Sequence, residues 1–569
     1  MKKTISIGIQ GFSDLRERNC YFVDKTHFIK EWWESQDMVT LITRPRRFGK
    51  TLNMSMLECF FSNKYANRAD LFAGLSIWKE EKYRQLQGTY PVLFLSFASV
   101  KAGNLEEAKA QVKGEIARVY RENKYLIDTD IFDNRERERY DNVVVSMDDV
   151  TAQDSLRNLA EWMEKYYGKK VIIFLDEYDT PMQEAYIQGY WDEFTSFVRS
   201  LFNATFKTNP YLERAIMTGI TRVSKESIFS DLNNLEVVTT TSEPYSDCFG
   251  FTETEVFTSL DEFGMSDKKD EVKQWYDGFT FGEYRDIYNP WSITNYLKEK
   301  KLRAYWAATS SNGLVSRLIR TASVDVKEKM EDLLQGKTIV VNFDEQIVYN
   351  QLDQNENTIW SLLLASGYLK VEGVDYRGIT REPWYTLKIT NIETLSMFMN
   401  MFRGWFTSSD AKYGDFIKAL VENDLDAMNY YMNKISMATF SYFDVGSGNK
   451  ESVEPERFYH GFVLGLIAER AEDYEIRSNR ESGFGRYDIM MIPKDIRKYP
   501  AIIIEFKVCG RMKKETMEDA VQSALKQIAE KNYDAELLSQ GIPADRIRHY
   551  GFAFEGKKVL IGTEPAVCL

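Results

Sequence analysis

A short basic segment near the N-terminus carries the residue types that bind phosphate. The segment Arg44-Pro45-Arg46-Arg47-Phe48-Gly49-Lys50-Thr51 follows a β-rich run and precedes a helical pattern. Backbone N–H groups at the start of such a helix cradle phosphate oxygens, a lysine reaches the β- and γ-phosphates, and a threonine hydroxyl ligates Mg²⁺. The candidate nucleotide ligands are Arg47, Phe48, Gly49, Lys50 and Thr51.

This loop departs from the usual G-x-x-x-x-G-K-[ST] pattern, because Arg44 stands at the first glycine position. Pro45 instead restricts the backbone at the start of the loop. A basic surface turn before a helix is the structural alternative. The strand and helix on either side, and the acidic strand end described next, favour the phosphate-binding interpretation.

An apolar run, Val171 to Leu175, ends in the carboxylates Asp176 and Glu177. Such a strand is central in a parallel sheet, so its end should lie beside the phosphate-binding loop. We expect Asp176 to hold Mg²⁺ and Glu177 to polarise an attacking water, with Asp179 in a supporting role. An acidic strand-to-helix connection is the alternative.

A third run of strand-like residues ends at Thr218-Gly219-Ile220-Thr221-Arg222. Thr218 is a candidate nucleotide ligand that can hydrogen-bond the γ-phosphate or the water. Arg222 is a candidate to stabilise the transferred charge, either within the chain or across an oligomer. A strand cap followed by a surface arginine is the equal alternative for Arg222.

A second set of candidate residues lies towards the C-terminus. A glycine-containing turn leads into a strand with Asp488, and the next apolar strand carries Glu505 and Lys507. Alternation along a strand puts Glu505 and Lys507 on one face. If the hairpin brings Asp488 beside Glu505, the two carboxylates can bind Mg²⁺ and Lys507 can orient water or stabilise a phosphate. The residues predict a nuclease-type site.

Two further residues are candidates for the same cleft. Gln527 lies on a helix predicted from Glu518 to Lys531, with Tyr533 just beyond it. Glu456 falls in the first turn of a helix that begins near Pro455. A helix N-terminal acid that interacts favourably with the helix dipole is the alternative for Glu456.

The elements that must position these residues have an α/β pattern. Short apolar runs alternate with helical stretches over the first ~240 residues, which predicts a parallel sheet. The predicted strands are Val39 to Thr43, Val92 to Phe97, Val171 to Leu175 and Ala215 to Gly219. The helices Leu105 to Arg121 and Ser155 to Tyr167 lie between them. Segment 300–440 reads as mainly helical, and a Gly- and Ser-rich run around 443–454 reads as a linker.

Composition narrows the classes of protein further. The chain has 569 residues, which exceeds one ordinary core, and 44% of them are hydrophobic and 28% charged, as in globular proteins. No apolar run approaches the length of a membrane span and the N-terminus lacks a signal-like run, so we expect a cytoplasmic protein without membrane contact. The five cysteines lack CxxC spacing and there are three histidines, so carboxylates are the expected metal ligands.

The chain also resembles a bacterial family in which an AAA-ATPase-like domain is fused to a C-terminal PD-(D/E)xK nuclease-superfamily domain. The stretches that carry the resemblance are Tyr21-Phe22-Val23-Asp24-Lys25-Thr26, the Arg44 to Thr51 loop, Phe174-Leu175-Asp176-Glu177-Tyr178-Asp179, Trp275-Tyr276-Asp277-Gly278-Phe279, Tyr288-Asn289-Pro290-Trp291-Ser292, Glu481 to Asp488 and Glu505 to Lys507. The Arg44-containing loop is similar to that family's own form of the motif. Tyr487 stands where the superfamily motif has proline.

The resemblance implies a P-loop NTPase fold of the ASCE/AAA-like type with a parallel sheet, and a C-terminal α/β restriction-endonuclease-like domain. It assigns residues 1–245 to the ATPase-like domain, 246–300 to a winged-helix-like lid, 301–442 to a helical linker domain and 450–569 to the nuclease-like domain. It implies ATP and Mg²⁺ as cofactors. Lys50 and Thr51 are the implied nucleotide ligands, and Asp488, Glu505 and Lys507 are the implied nuclease core.

Two functional hypotheses follow. In the first, ATP binding and turnover gate Mg²⁺-dependent cleavage of nucleic acid, DNA rather than RNA, in a chain that can form homo-oligomers. In the second, the chain is a nucleotide-switched module that binds nucleic acid or protein without cutting it. The net charge of −13 favours the second hypothesis, because phosphate is repelled by an acidic body. The presence of Asp488, Glu505 and Lys507 together favours the first.

Overall fold

The chain divides into two compact units. The computed structural model describes residues 3–222, 228–229, 232–307, 313–334, 336–345, 357–406, 413–439, 463, 467, 470, 473–482, 485–509, 516–555 and 558–563. The first unit comprises Met1–Ala322 and Asp332–Leu395, and the second comprises Ser323–Glu331 and Ser396–Leu569. The four domains predicted from the sequence are a finer division, and their boundaries stay predictions.

The first unit is built on a parallel five-stranded sheet in the order β2-β3-β4-β1-β5. Its strands are β1 Val39–Thr43, β2 Val92–Ser96, β3 Val171–Asp176, β4 Leu212–Gly219 and β5 Leu235–Val238. The α/β fold and four of these strands match the predictions. The fifth strand was not predicted, because β5 is short, lies at the sheet edge and has only one buried residue, Val238.

Helices surround this sheet, so β1 and β3 are buried along their whole length. The helix that was predicted from Ser155 begins earlier, because Asp148 caps it by accepting a hydrogen bond from the Thr151 N–H. The helices of this layer are Phe12–Glu17, His27–Ser35, Lys50–Phe61, Glu81–Leu86, Leu105–Glu122, Asn134–Asp141, Asp149–Tyr167, Thr180–Gln188 and Trp191–Phe202.

A helical region with a small antiparallel sheet follows, and its assignment to a winged-helix-like lid stays a prediction. The helices are Glu253–Glu262, Lys269–Tyr276 and Pro290–Glu299. The strands β6 Phe251–Thr252, β7 Phe279–Phe281 and β8 Tyr284–Tyr288 pair in the order β6-β8-β7. We call residues 246–300 the lid.

The segment after the lid is helical, as predicted, but it also contains a sheet that the sequence interpretation missed. Its helices are Gly313–Thr321, Val324–Leu334, Thr358–Ala365 and Ile392–Phe406. The strands β9 Ile339–Val341, β10 Leu369–Arg377 and β11 Glu382–Ile389 pair in the order β10-β11-β9. Tyr385, Leu387 and Ile389 alternate with less buried residues, which is the period-2 signal of a half-buried strand.

The second unit contains a mixed five-stranded sheet in the order β12-β13-β14-β15-β16. Its strands are β12 Tyr474–Ser482, β13 Gly485–Pro493, β14 Ala501–Val508, β15 Ile547–Glu555 and β16 Lys558–Thr563. Only the β14–β15 pair is parallel among the described strands of this sheet. The helices are Tyr413–Glu422, Leu425–Thr439, Met517–Lys531 and Asp534–Ser539.

Apolar cores cover both faces of this sheet. Ile502, Ile504 and Phe506 belong to one core, while Ala501 and Ile503 belong to the other. Strand β14 is therefore a continuous apolar run with one charged residue in its buried part, Glu505, which is 2% exposed. The linker predicted around 443–454 lies outside the described residues, as does Glu456.

None of the described helices is both long enough and apolar enough to cross a membrane.

Candidate functional sites

The loop after β1 turns into the helix Lys50–Phe61 through Gly49. Gly49 has φ +84°, in the left-handed region that favours glycine, while a Cβ at this position would meet no atom within 4 Å. The turn therefore requires glycine for its backbone conformation and not for lack of space. The Lys50 ammonium donates hydrogen bonds to the carbonyl oxygens of Arg44 and Pro45, both at 2.9 Å, so it lies across the loop.

Arg44 is completely buried. Its guanidinium donates to the carbonyl oxygens of Thr43 at 2.9 Å and Thr239 at 2.7 Å, and lies 4.6 Å from the centre of the Phe281 ring. Further carbonyl contacts are made to Pro244 at 3.4 Å and Tyr245 at 3.3 Å. Burial lowers its pKa to about 10. The residue in the glycine position thus anchors the loop to the chain that precedes the lid.

The side chains of Arg47 and Phe48 also pack on the lid. The Phe48 ring centre lies 4.8 Å from that of Phe279, and the Arg47 guanidinium lies 4.4 Å from the centre of the Trp291 ring. Arg47 itself has φ +66°. The side chains of these two predicted nucleotide ligands therefore fix the loop. Their backbone N–H groups are the groups that can bind phosphate.

Asp176 connects the phosphate-binding loop with the end of β4. The Thr51 hydroxyl donates to Asp176 Oδ2 at 2.7 Å, and the Thr218 hydroxyl donates to Oδ1 at 2.5 Å. The carboxylate is fully buried, and this burial raises its pKa despite both hydrogen bonds. Three predicted site residues therefore meet at the carboxyl ends of β1, β3 and β4.

Glu177 follows Asp176 in a left-handed backbone conformation, with φ +53°. Its side chain is half-buried and accepts a hydrogen bond from the Thr180 hydroxyl at 3.2 Å. A non-glycine residue in this region is uncommon and is stabilised only by its surroundings.

Asp179 holds the loop that follows β4. Its Oδ2 accepts hydrogen bonds from the Ile220 N–H at 3.0 Å, the Thr221 N–H at 2.8 Å and the Thr221 hydroxyl at 2.7 Å. A Cβ on Gly219 would lie 2.6 Å from Asp179 Oδ1. Arg222 follows this loop, half-buried, beside a small cavity that Thr43, Thr239 and Glu345 also line.

In the second unit, Asp488 on β13 lies next to Glu505 on β14. Ile489 pairs with Ile504, so the register sets these two carboxylates opposite each other. Asp488 Oδ2 accepts a hydrogen bond from the Phe506 N–H at 2.8 Å. The predicted hairpin geometry is therefore present.

Lys507 and Gln527 complete this cluster. The Lys507 ammonium lies 3.5 Å from Glu505 Oε1 and donates to Gln527 Oε1 at 2.8 Å. The Gln527 amide also donates to Glu505 Oε1 and, at 3.2 Å, to the Tyr533 hydroxyl. Four of the five predicted residues of the cleft, Asp488, Glu505, Lys507 and Gln527, thus form one group, and the fifth, Glu456, is not described.

The surroundings of Glu505 disfavour its charged form. Burial and the neighbouring charge of Asp488 raise its pKa to about 8, although Lys507 opposes this shift. Its Oε2 is buried and has no hydrogen-bond partner within the described residues. A buried carboxylate oxygen without a donor is costly unless a cation binds it.

Two parts of the chain match models of known protein families. Residues 6–229 match a family model described as a predicted AAA-ATPase, and residues 454–564 match one described as the PD-(D/E)XK nuclease superfamily. The chain joins an AAA-ATPase-like domain to a PD-(D/E)XK nuclease-superfamily domain. An uncharacterized protein in the vnfD 5′ region of Azotobacter chroococcum mcd 1 is 26% identical over 395 residues, which cover 69% of this chain and 68% of that protein.

The residues present in the nuclease-superfamily domain fit a divalent metal ion. Asp488 and Glu505 supply oxygen ligands, which Mg²⁺ prefers, and the unpartnered Glu505 Oε2 gives a cation an uncompensated charge to bind. In the AAA-ATPase-like domain, the Thr51 hydroxyl and the Asp176 carboxylate form the corresponding pair. Both sets are hard oxygen donors.

Sequence reasoning missed what holds the AAA-ATPase-like site together. The anchoring of the phosphate-binding loop by Arg44 depends on carbonyl groups about 200 residues away in the chain. The hydrogen bonds from the β4 loop to Asp179 were likewise not foreseen. The spacing of Asp179 three residues after Asp176, together with the Gly219 that follows Thr218, was the available signal.

Proposed function

We propose that this chain binds and hydrolyses ATP in its AAA-ATPase-like domain and cleaves nucleic acid with Mg²⁺ in its nuclease-superfamily domain, with ATP gating the cleavage. The observation that carries the proposal is the buried Glu505 oxygen without a partner, beside Asp488 and next to Lys507. The proposed domains are 1–245, 246–300, 301–442 and 450–569, and the proposed location is the cytoplasm.

In the proposed nuclease site, Asp488 and Glu505 hold the ion and Lys507 faces the phosphate. A bound Mg²⁺ supplies Lewis-acid stabilisation and a water of lowered pKa at either site. The Lys507 ammonium stabilises the negative charge that develops on the scissile phosphate. Gln527 keeps the ammonium in place, since its amide oxygen accepts from Lys507 while its N–H groups donate to Glu505.

In the proposed ATPase site, the backbone N–H groups of residues 47–51 and the Lys50 ammonium bind the phosphates. Thr51 and Asp176 hold the ion, and Glu177 accepts a proton from the attacking water. Thr218 orients the γ-phosphate or that water. Arg222 neutralises the charge that passes to the leaving group, within the chain or across a homo-oligomer.

Duplex or single-stranded DNA is the proposed substrate of the nuclease site. A net charge of −13 disfavours unspecific coating of nucleic acid, so substrate is expected to bind through a local cationic surface. Binding should therefore be weak, limited in contact number and sensitive to salt.

The test is incubation of the purified chain with single- and double-stranded DNA and RNA, with Mg²⁺ or Mn²⁺, with and without ATP. Cleavage is expected in wild type and should be lost in Asp488→Asn and Glu505→Gln, while ATP turnover persists in both variants. Lys50→Ala should lower ATP turnover by on the order of 10²-fold or more. An absence of cleavage products with every metal and substrate would contradict the nuclease half of the proposal.

The second hypothesis, a nucleotide-switched binding module, is favoured by the net charge alone. It predicts a gel shift that responds to ATP without any cleavage products. It also predicts that Glu505→Gln binds nucleic acid or protein as wild type does. The same set of incubations therefore separates the two functions.

A further inference from the structure

We propose a zinc site in the first unit, formed by His27, Glu31, Asp247 and Cys248. This site is separate from both oxygen-ligand sites described above and does not depend on the proposed function. One ligand atom each of His27, Asp247 and Cys248 lie within 4.8 Å of one another. The Cys248 sulfur lies 3.3 Å from Glu31 Oε2, which adds the fourth donor.

Two elements bring these residues together from distant parts of the chain. His27 and Glu31 are four residues apart on the helix His27–Ser35, so both side chains lie on one face. Asp247 and Cys248 follow β5 and lie at the start of the lid. The Lys25 ammonium donates to the Asp247 carbonyl oxygen at 2.6 Å, which fixes this second segment against the first.

Three of the distances between donor atoms are close to the edges of a zinc tetrahedron, while Glu31 lies outside the group whose donor atoms are all within 4.8 Å of one another. Zinc bonds of about 2.0 Å to nitrogen and oxygen and about 2.3 Å to sulfur give edges of about 3.3 Å for N···O and about 3.5 Å for S···O. His27 Nε2 lies 3.2 Å from Asp247 Oδ1. The Cys248 sulfur lies 3.9 Å from the same oxygen and 3.3 Å from Glu31 Oε2. An ion that binds all four groups would replace the shared protons and draw the Glu31 carboxylate towards His27 and Asp247.

Two cationic side chains, Arg44 and Lys25, lie near the proposed site. Cys248 is fully buried, and the buried Arg44 guanidinium is close enough to interact with both Cys248 and Glu31. This cation and Lys25 offset the excess negative charge of two carboxylates and a thiolate around a divalent ion. Glu31 Oε1 accepts a hydrogen bond from the Tyr245 N–H at 2.7 Å, which orients the carboxylate in the way that outer-shell partners orient metal ligands.

The site is exposed to solvent on one side, and its donor atoms favour zinc. The side chains of His27 and Asp247 are 36% and 44% exposed, so an ion can enter from solvent. A nitrogen, a sulfur and two oxygens favour zinc over Mg²⁺. Without an ion, the same four groups form the hydrogen bonds His27–Asp247 and Cys248–Glu31, which hold the donors close together in advance.

The test uses Co²⁺ as a spectroscopic substitute for zinc in the full-length chain. A thiolate–cobalt charge-transfer band is expected on titration, with one equivalent bound, and zinc should displace it. The Mg²⁺ sites cannot give this band because their ligands are all oxygen. Zinc carried through purification without chelators should be measurable by elemental analysis.

The variants discriminate between a metal site and a set of structural hydrogen bonds. Cys248→Ser should abolish the band, and His27→Gln, a change at the exposed side of the site, should weaken zinc binding by on the order of 10–100-fold or more. Cys20→Ser is the matched control, because it removes a buried thiol outside the cluster and should leave the band unchanged. A wild-type chain that gives no thiolate–cobalt band, or zinc affinity unaltered in His27→Gln, would overturn the proposal.

Discussion

Glu393 carries a carboxyl group that is fully buried in the first unit. It accepts hydrogen bonds from the Ser292 hydroxyl at 2.8 Å and from the N–H groups of Trp306 at 2.7 Å and Ala307 at 3.5 Å. Burial outweighs these donors and raises its pKa to about 7 from an ordinary value of 4.5. This residue joins the lid helix Pro290–Glu299 to the segment that follows it.

The raised pKa of Glu393 predicts a loss of stability as pH rises. Below pH 4.5 the carboxyl is protonated in both folded and unfolded chains, so its contribution is fully present. Between pH 4.5 and about 7 the unfolded chain releases its proton first, which lowers the free energy of unfolding by up to about 3 kcal/mol. Glu393→Gln lacks this titration. We therefore expect the variant to gain stability relative to wild type as pH rises. The free energy of unfolding of the variant minus that of wild type, measured with urea, should be larger at pH 8 than at pH 5.

A difference that stays constant between the two pH values would contradict the raised pKa of Glu393. Because both chains share every other titrating group, the comparison removes their contributions. The measurement should follow the unfolding transition of the first unit, since unfolding of the two units need not coincide.

At the scale of elements, hydrogen bonds join the end of β3 to the end of β4 beside the proposed ATPase site. Asp176 accepts from Thr218, and Asp179 accepts from the two residues after Gly219. The Tyr178 hydroxyl adds a bond to the Thr221 carbonyl oxygen at 2.8 Å. The turn after β3 therefore positions the turn after β4, including the approach to Arg222.

Gly219→Ala should disturb this connection. The added Cβ would lie 2.6 Å from Asp179 Oδ1 and 2.7 Å from Tyr178 Cε1, so the turn after β4 must shift. Because misplacement of catalytic groups by about 1 Å can cost up to about 100-fold, we expect kcat for ATP to fall by about 10- to 100-fold with a smaller change in KM. Gly103→Ala is the control, because a Cβ there meets no atom within 4 Å. Equal kcat values for the two variants would show that this turn does not position the site.

The sequence predicted those elements that a short, continuous stretch of residues is enough to indicate. Strand β14, Ala501–Val508, was predicted because a run of apolar residues surrounds Glu505. The sequence left open whether the hairpin brings Asp488 beside Glu505, and the register of β13 and β14 sets them opposite each other. Strand β10 was missed, because most of its residues are half-buried or exposed and its pairing with β11 contains a bulge.

The candidate sites were predictable to the extent that their residues lie within one motif. Lys50, Thr51 and Asp176 follow local patterns of strand, turn and helix. The bonds from Arg44 to Thr239 and from Glu31 to Cys248 join residues about 200 positions apart, and no local pattern indicates them. Such contacts are set by tertiary packing.

At the scale of the whole molecule, the proposed gating makes the two domains energetically coupled. We expect wild-type cleavage to change by about 5–150-fold between ATP and no nucleotide, the range of ordinary coupling free energies. Lys50→Ala should cleave at one rate with or without ATP. Asp488→Asn should turn over ATP as wild type does. Cleavage rates of wild type that are identical with ATP, with ADP and without nucleotide would remove gating from the proposed function while leaving both activities.

The burial of Arg44 has a consequence for protein engineering. A designer who compared this chain with ordinary P-loops would restore glycine at that position to improve phosphate binding. Here the change would empty a space filled by a large side chain and deprive four carbonyl groups of their donor. Restoring the consensus glycine would therefore destabilise the loop, because Arg44 is the residue that holds the loop to its surroundings.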